Sequence, residues 1–94
     1  MITVQQVNTF CGQMKITYGA NFRYKQVSTG MKVIGEYYTS MGQLMSIQMD
    51  VNPHRIEIKI YDNAKRLVYS DRITDNICYN QKLLQFIQKN VLVG

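Results

Sequence analysis

The chain has 94 residues, 46% apolar and 18% charged, which argues for a folded globule and against disorder. That length suits one domain spanning residues 1–94, with a single core. No apolar run reaches membrane-crossing length and no basic-then-apolar leader stands at the start, so a cytoplasmic protein is expected.

Net charge is +5, and its distribution matters more than its sum. Lys15, Arg23, Lys25 and Lys32 all precede the first acid, Glu36, so the N-terminal third is purely basic. Such a field attracts phosphates or an acidic partner. Thr3, with Gln6 three residues on, carries the capping-box pattern of a helix start. Val4, Val7, Phe10, Cys11 and Met14 then share one side at helical spacing, opposite the uncharged Gln5, Gln6, Asn8, Thr9 and Gln13. The spacing predicts a helix over 3–13, weakened toward its end by Gly12.

Lys15-Ile16-Thr17-Tyr18 reads as a short strand or arm, a Gly19-Ala20-Asn21 turn follows, and Phe22 to Val27 reads as a better strand. Met31 to Thr39 is rich in β-formers, with Gly35 marking a bulge. Met45, Ile47, Met49 and Val51 alternate with polar residues, a one-sided strand. After Asn52-Pro53, Ile56, Ile58 and Ile60 alternate with Glu57, Lys59 and Tyr61. Asp62 to Lys65 has turn chemistry, and an extended pattern resumes from Arg66 to Ile73, which makes a β-hairpin. A four- or two-residue loop would pair Ile60 with Leu67 and Ile58 with Tyr69, the register that buries apolar residues. Thr74 or Asp75 is placed to cap a last helix whose apolar side is Ile77, Leu83, Leu84, Ile87 and Val91.

The order helix, four or five antiparallel strands, helix gives a two-layer α+β fold. One-sided elements pack most economically with both helices on one face of a meandering sheet and the other face in water. That open face is expected to display Arg55, Lys59, Tyr61, Arg66 and Arg72, joined by Arg23, Tyr24 and Lys25 from an earlier strand. Cations neutralise phosphates and aromatic rings stack on bases, so this basic, tyrosine-bearing face is expected to engage nucleic acid or a nucleoprotein. The alternative is an inhibitor or adaptor of the kind phages and mobile elements encode, occluding a host protein through a sheet edge or the polar side of the first helix. The Met31-to-Thr39 strand is long enough, and poor enough in charge, to pair with another chain and make a homodimer through such an edge.

Catalysis is not expected. Metal-free ribonucleases use Lys, Arg, Tyr and His, but the lone His54 has no second histidine to form an acid–base pair. Cys11, Cys78 and His54 lack the paired spacing of a metal site, so neither metal nor cofactor is expected. Cys11 falls on an apolar helix face, whereas Cys78 falls in a first turn, where the helix field would lower its pKa. Helix–strands–helix order with Pro53-His54 before a hairpin invites comparison with double-stranded RNA-binding domains. That family places lysines where Asp75-Asn76-Ile77-Cys78-Tyr79 stands here, so nothing is carried over from it.

Overall fold

The computed structural model describes the backbone of residues 1–93 and the side chains of residues 1–89. Helix α1, Val4–Tyr18, opens on Thr3, whose hydroxyl accepts the Gln6 N–H at 3.2 Å while the Gln6 side chain accepts the Thr3 N–H at 3.3 Å. It continues past Gly12 and ends at Gly19, whose φ of 65° is the left-handed stop that glycine adopts freely. Residues 15–18 are therefore helix and not a strand. Tyr18 sets its ring edge-on against Tyr37, centroids 5.9 Å apart, and this packing outweighs the β preference of Ile16 and Thr17.

Five strands follow: β1 Asn21–Val27, β2 Gly30–Tyr38, β3 Leu44–Val51, β4 Ile56–Tyr61 and β5 Leu67–Ile73. They form one antiparallel sheet in sequence order, so β1 and β5 are its edges. β2 lies inside the sheet, paired with β1 on one side and β3 on the other, so the Met31–Thr39 segment offers no edge to a second chain. Nor does Gly35 make a bulge, because both ladders run straight through it. The missing side chain makes room for the Phe22 ring, which an added Cβ would meet together with the Asn21 carbonyl oxygen.

Val33, Tyr37, Ile47, Met49, Ile56, Ile58 and Ile60 line the inner face and are fully buried. Each such valine, isoleucine or methionine contributes roughly 1.5–3 kcal/mol by leaving water. Over this face α1 packs against β1 and β2. After β5 the chain makes a single 3₁₀ turn, Ile77–Tyr79, before helix α2, Gln81–Val93. The turn is capped by the Asn76 side chain and α2 by Asn80, whose side-chain amide oxygen accepts the Leu83 N–H at 3.0 Å. Neither Thr74 nor Asp75 caps the helix. Buried Ile77 anchors the turn against α1, and only beyond it is the chain free to start α2. The expected placement of Val91 lies outside the described side chains.

α2 docks at the β5 end of the same face, with Phe86 stacked on Tyr69, centroids 4.7 Å apart, and Lys82 3.7 Å from Asp71. The fold is thus α+β in two layers, both helices on one face. The other face is uncovered.

The β4–β5 register differs by two residues from the expected one. Ile60 pairs with Tyr69 and Ile58 with Asp71, with an irregularity between Ile60 and Tyr61 that leaves Tyr61 opposite Leu67. The Asp62–Arg66 loop sets this register. Its Asp62 carboxylate accepts the Ala64 N–H, the Arg66 N–H and the Arg66 Nε–H, each at 2.9 Å, while Lys65 takes a left-handed φ of 64°. A shift of two keeps Tyr69, Asp71 and Ile73 inward and Ser70 and Arg72 outward, but the irregularity moves Leu67 from its expected inner place opposite Ile60 to one opposite the outward Tyr61.

Candidate binding surface

Cross-strand pairing lays the uncovered face out in rows. One row is Arg23, Ile34, Gln48, Lys59 and Ser70; the next, toward one end, is Lys25, Lys32, Asp50, Glu57 and Arg72; toward the other lies Asn21, Glu36, Ser46, Tyr61 and Leu67. The acids are concentrated in the second row, where they draw in the neighbouring cations. Lys32 reaches Asp50 at 3.9 Å, and Glu57 receives Arg55 at 3.1 Å and Arg72 at 3.4 Å. These pairs are solvent-exposed and worth little to stability, but they neutralise much of the charge of that row.

Six of the expected site residues therefore share this face: Arg23, Lys25, Arg55, Lys59, Tyr61 and Arg72. Two do not. Arg66 lies in the hairpin loop, its guanidinium 2.9 Å from Asp62, because the five-residue loop takes it out of the ladder. Tyr24 pairs with Val33 and so belongs to the inner side of β1, where it shares the wall of a hollow with Cys11. Burial, reinforced by that thiol, pushes the Tyr24 phenol up to about 12. Alternation along a single strand forbids Arg23, Tyr24 and Lys25 from all facing one way.

Among the described residues, Arg23, Lys25 and Lys59 have no carboxylate within ion-pair distance. Two of the three sit on β1. β1 is also the most open strand of the sheet, with every residue but Phe22 exposed, and its seven pairs with β2 contain no bulge. β5, the other edge, is broken by the irregularity beside Tyr61 and clamped from within by α2.

Two hollows flank β1. On the outer side, Arg23, Ile34, Glu36, Ser46 and Gln48 surround a depression of about 520 Å³. On the inner side, a hollow of about 290 Å³ runs between the flank of α1 and β1, walled by Asn8, Gly12 and Lys15 on the helix and by Phe22 and Tyr24 on the strand. The extension of α1 past residue 13 brings Lys15 here. Gly19 immediately after Tyr18 is the sequence signal that marks that helix end.

Cys78 does not sit in the first turn of a helix proper. It lies in the 3₁₀ turn, its thiol donates to the Gln6 carbonyl oxygen at 3.4 Å, and burial pushes it up, not down. His54 is exposed in the turn before β4, its N–H bonded to the Asn52 side chain at 2.8 Å. Among the described residues no group of three or more His, Cys, Asp or Glu is placed to hold a metal ion, and no helix is long and apolar enough to cross a membrane. No protein-family model, curated protein or solved structure matches the chain.

Proposed function

We propose that this chain is a binding module that acts by protein–protein contact in the cytoplasm, gripping its target through the β1 side of the sheet as an inhibitor or adaptor does. The observation that carries this reading is β1 itself: a straight, fully paired strand with one open edge, flanked by cations that no acid among the described residues neutralises. An open backbone edge offers alternating N–H and C=O groups, which another polypeptide satisfies and a nucleic acid does not. The reading is tested by co-purification from a nuclease-treated extract with the wild-type chain and with Arg23→Glu/Lys25→Glu. A stoichiometric protein lost in the double variant supports it; no stoichiometric protein with the wild type refutes it.

A second reading has its own support. The row from Arg23 to Lys59 contains no carboxylate, spans about 14 Å at the usual strand spacing, and has Tyr61 beside it on β4. That arrangement suits a single-stranded nucleic acid laid across the strands. Three uncompensated cations predict a log–log salt slope of about −2 for single strands. Fluorescence anisotropy with oligonucleotides at two salt concentrations measures it. A flat titration at low salt dismisses this second reading.

A further inference from the structure

We infer that the β1 edge is a β-augmentation site for an acidic, extended polypeptide segment, which adds a sixth strand beside Asn21–Val27. The inference rests on the protein-contact reading above and gives its partner a chemistry and a position.

Three observations fit together. First, the strand presents a regular ladder. Its seven residues pair with β2 without a shift, so the opposite edge repeats the same regular spacing of donors and acceptors. Second, the side chains bracketing that edge are cationic on both sides. Arg23 and Lys25 project on the outer face, Lys15 flanks the edge from α1, and none has a carboxylate partner among the described residues. Lys25 even stands opposite another cation, Lys32, whose own partner Asp50 lies one strand further in. Carboxylates on alternate residues of an added strand would lie directly across from Arg23 and Lys25. Third, the inner side is hollow. The intervening residues of the added strand would turn toward the space between α1 and β1, whose wall on the helix includes Gly12. A Cβ built on Gly12 meets nothing within 4 Å, so that stretch of helix is bare. The hollow takes small apolar or hydroxyl side chains.

The same charges argue against a second copy of this chain. Two β1 strands paired antiparallel about Tyr24 would set Arg23 against Lys25 twice, and like charges facing each other across a ladder are destabilising. Registers centred on Arg23 or Lys25 place two identical cations face to face. The occupant is therefore an acidic strand with the pattern acid, small, acid, small, acid.

The test uses the full chain and a fluorescein-labelled peptide, Thr-Glu-Val-Glu-Val-Glu-Thr, followed by anisotropy. One control peptide replaces one Val by Pro, removing a ladder donor while keeping all of the charge. A second replaces every Glu by Lys. The decisive protein variant is Gly12→Leu, which fills the hollow while improving the helix, so its Tm should stay level or rise. The acidic peptide should bind the wild type, lose at least tenfold in affinity with Gly12→Leu and with Arg23→Glu/Lys25→Glu, and be unaffected by Lys65→Glu in the β4–β5 loop. Both control peptides should bind at least tenfold more weakly. Equal affinity for the Pro peptide, or no effect of Gly12→Leu, would mean charge attraction without strand addition and would overturn the inference. So would sedimentation equilibrium showing a dimer that Arg23→Glu/Lys25→Glu dissolves or strengthens, because the edge would then belong to a second copy. If a co-purified protein partner persists with both Gly12→Leu and the double charge variant, the protein-contact reading stands and the β1 assignment falls.

Discussion

Replacing Tyr37 by phenylalanine should make this protein more stable. Tyr37 is fully buried on the inner face, and its hydroxyl has no hydrogen-bond partner among the described residues. Burial, with Tyr18 adding to it, drives the phenol far above its ordinary range. An unsatisfied buried hydroxyl costs roughly 1–3 kcal/mol relative to water. Phenylalanine keeps the ring and its edge-on contact with Tyr18, and the vacated oxygen leaves a hole worth a few tenths of a kcal/mol at roughly 24 cal/mol per Å³. The net gain is about 1 kcal/mol, which for a domain of this size raises Tm by about 4–8 °C. Urea unfolding followed by circular dichroism measures it directly: the midpoint should rise with the slope unchanged. Tyr38→Phe, one residue along on the exposed face, is the control and should move stability by less than about 0.5 kcal/mol. A loss of 1 kcal/mol or more in Tyr37→Phe would refute the reasoning, because the hydroxyl would then be satisfied in solution.

Three further outcomes follow from particular backbone and side-chain positions. Lys65 holds a φ of 64°, which costs a non-glycine residue about 1–2 kcal/mol; glycine returns about 0.4–1 kcal/mol of that through the unfolded chain. Lys65→Gly should therefore stabilise by about 0.5–1 kcal/mol in the same urea assay, and Lys65→Ala, which keeps the strain, should not. Gly35→Ala drives a methyl into the Phe22 ring and to 2.5 Å from the Asn21 carbonyl oxygen, so a loss of about 1–3 kcal/mol is expected. Faster hydrogen exchange should then be concentrated in β1, and uniform acceleration across the sheet would count against the local clash. Burial pushes the thiols of Cys11 and Cys78 up, partly offset at Cys11 by the Tyr24 hydroxyl. Groups raised in the fold contribute stability that is fully present below their unfolded pKa and lost as pH rises through the folded value. Stability should hold at neutral pH and fall from about pH 9 upward. Iodoacetamide at neutral pH should label Cys11 slowest and both thiols more slowly than in urea; a Cys78 as reactive as free cysteine would contradict this.

The parts of the fold legible in the sequence are those where a single periodicity decides. Met45 to Val51 and Ile56 to Ile60 alternate without a break, and burial follows that alternation residue for residue. The Thr3–Gln6 box was equally readable because both of its bonds are local. What could not be read depended on distant partners. Ile16 and Thr17 prefer strands, and the contact of Tyr18 with Tyr37, nineteen positions on, together with the Gly19 stop holds them in the helix. Asp71, uncomfortable on an inner face by pattern alone, is accommodated by the Tyr69 hydroxyl at 3.3 Å and by Lys82 from α2. The hairpin register turned on how Asp62 spends its carboxylate, and the two-residue shift this imposes exchanges the partners of Ile58 and Ile60 while the irregularity beside Tyr61 displaces Leu67.

The candidate site shows the same division. Its charge was legible, since Lys15, Arg23 and Lys25 stand in an acid-free stretch whatever they pack against. Their geometry was not. In sequence, Phe22 to Lys25 interleave rings with cations; folded, the strand divides them, cations outward and rings inward over α1. That division is what an edge strand needs to receive another. A uniformly basic strand would attract anions of any kind, and a uniformly apolar one would aggregate. A strand with cations along one side and a hollow beneath the other accepts only a polypeptide that alternates in the complementary sense. On the proposed reading, the lysine and arginine that would oppose one another in a β1–β1 pair also select what the strand binds.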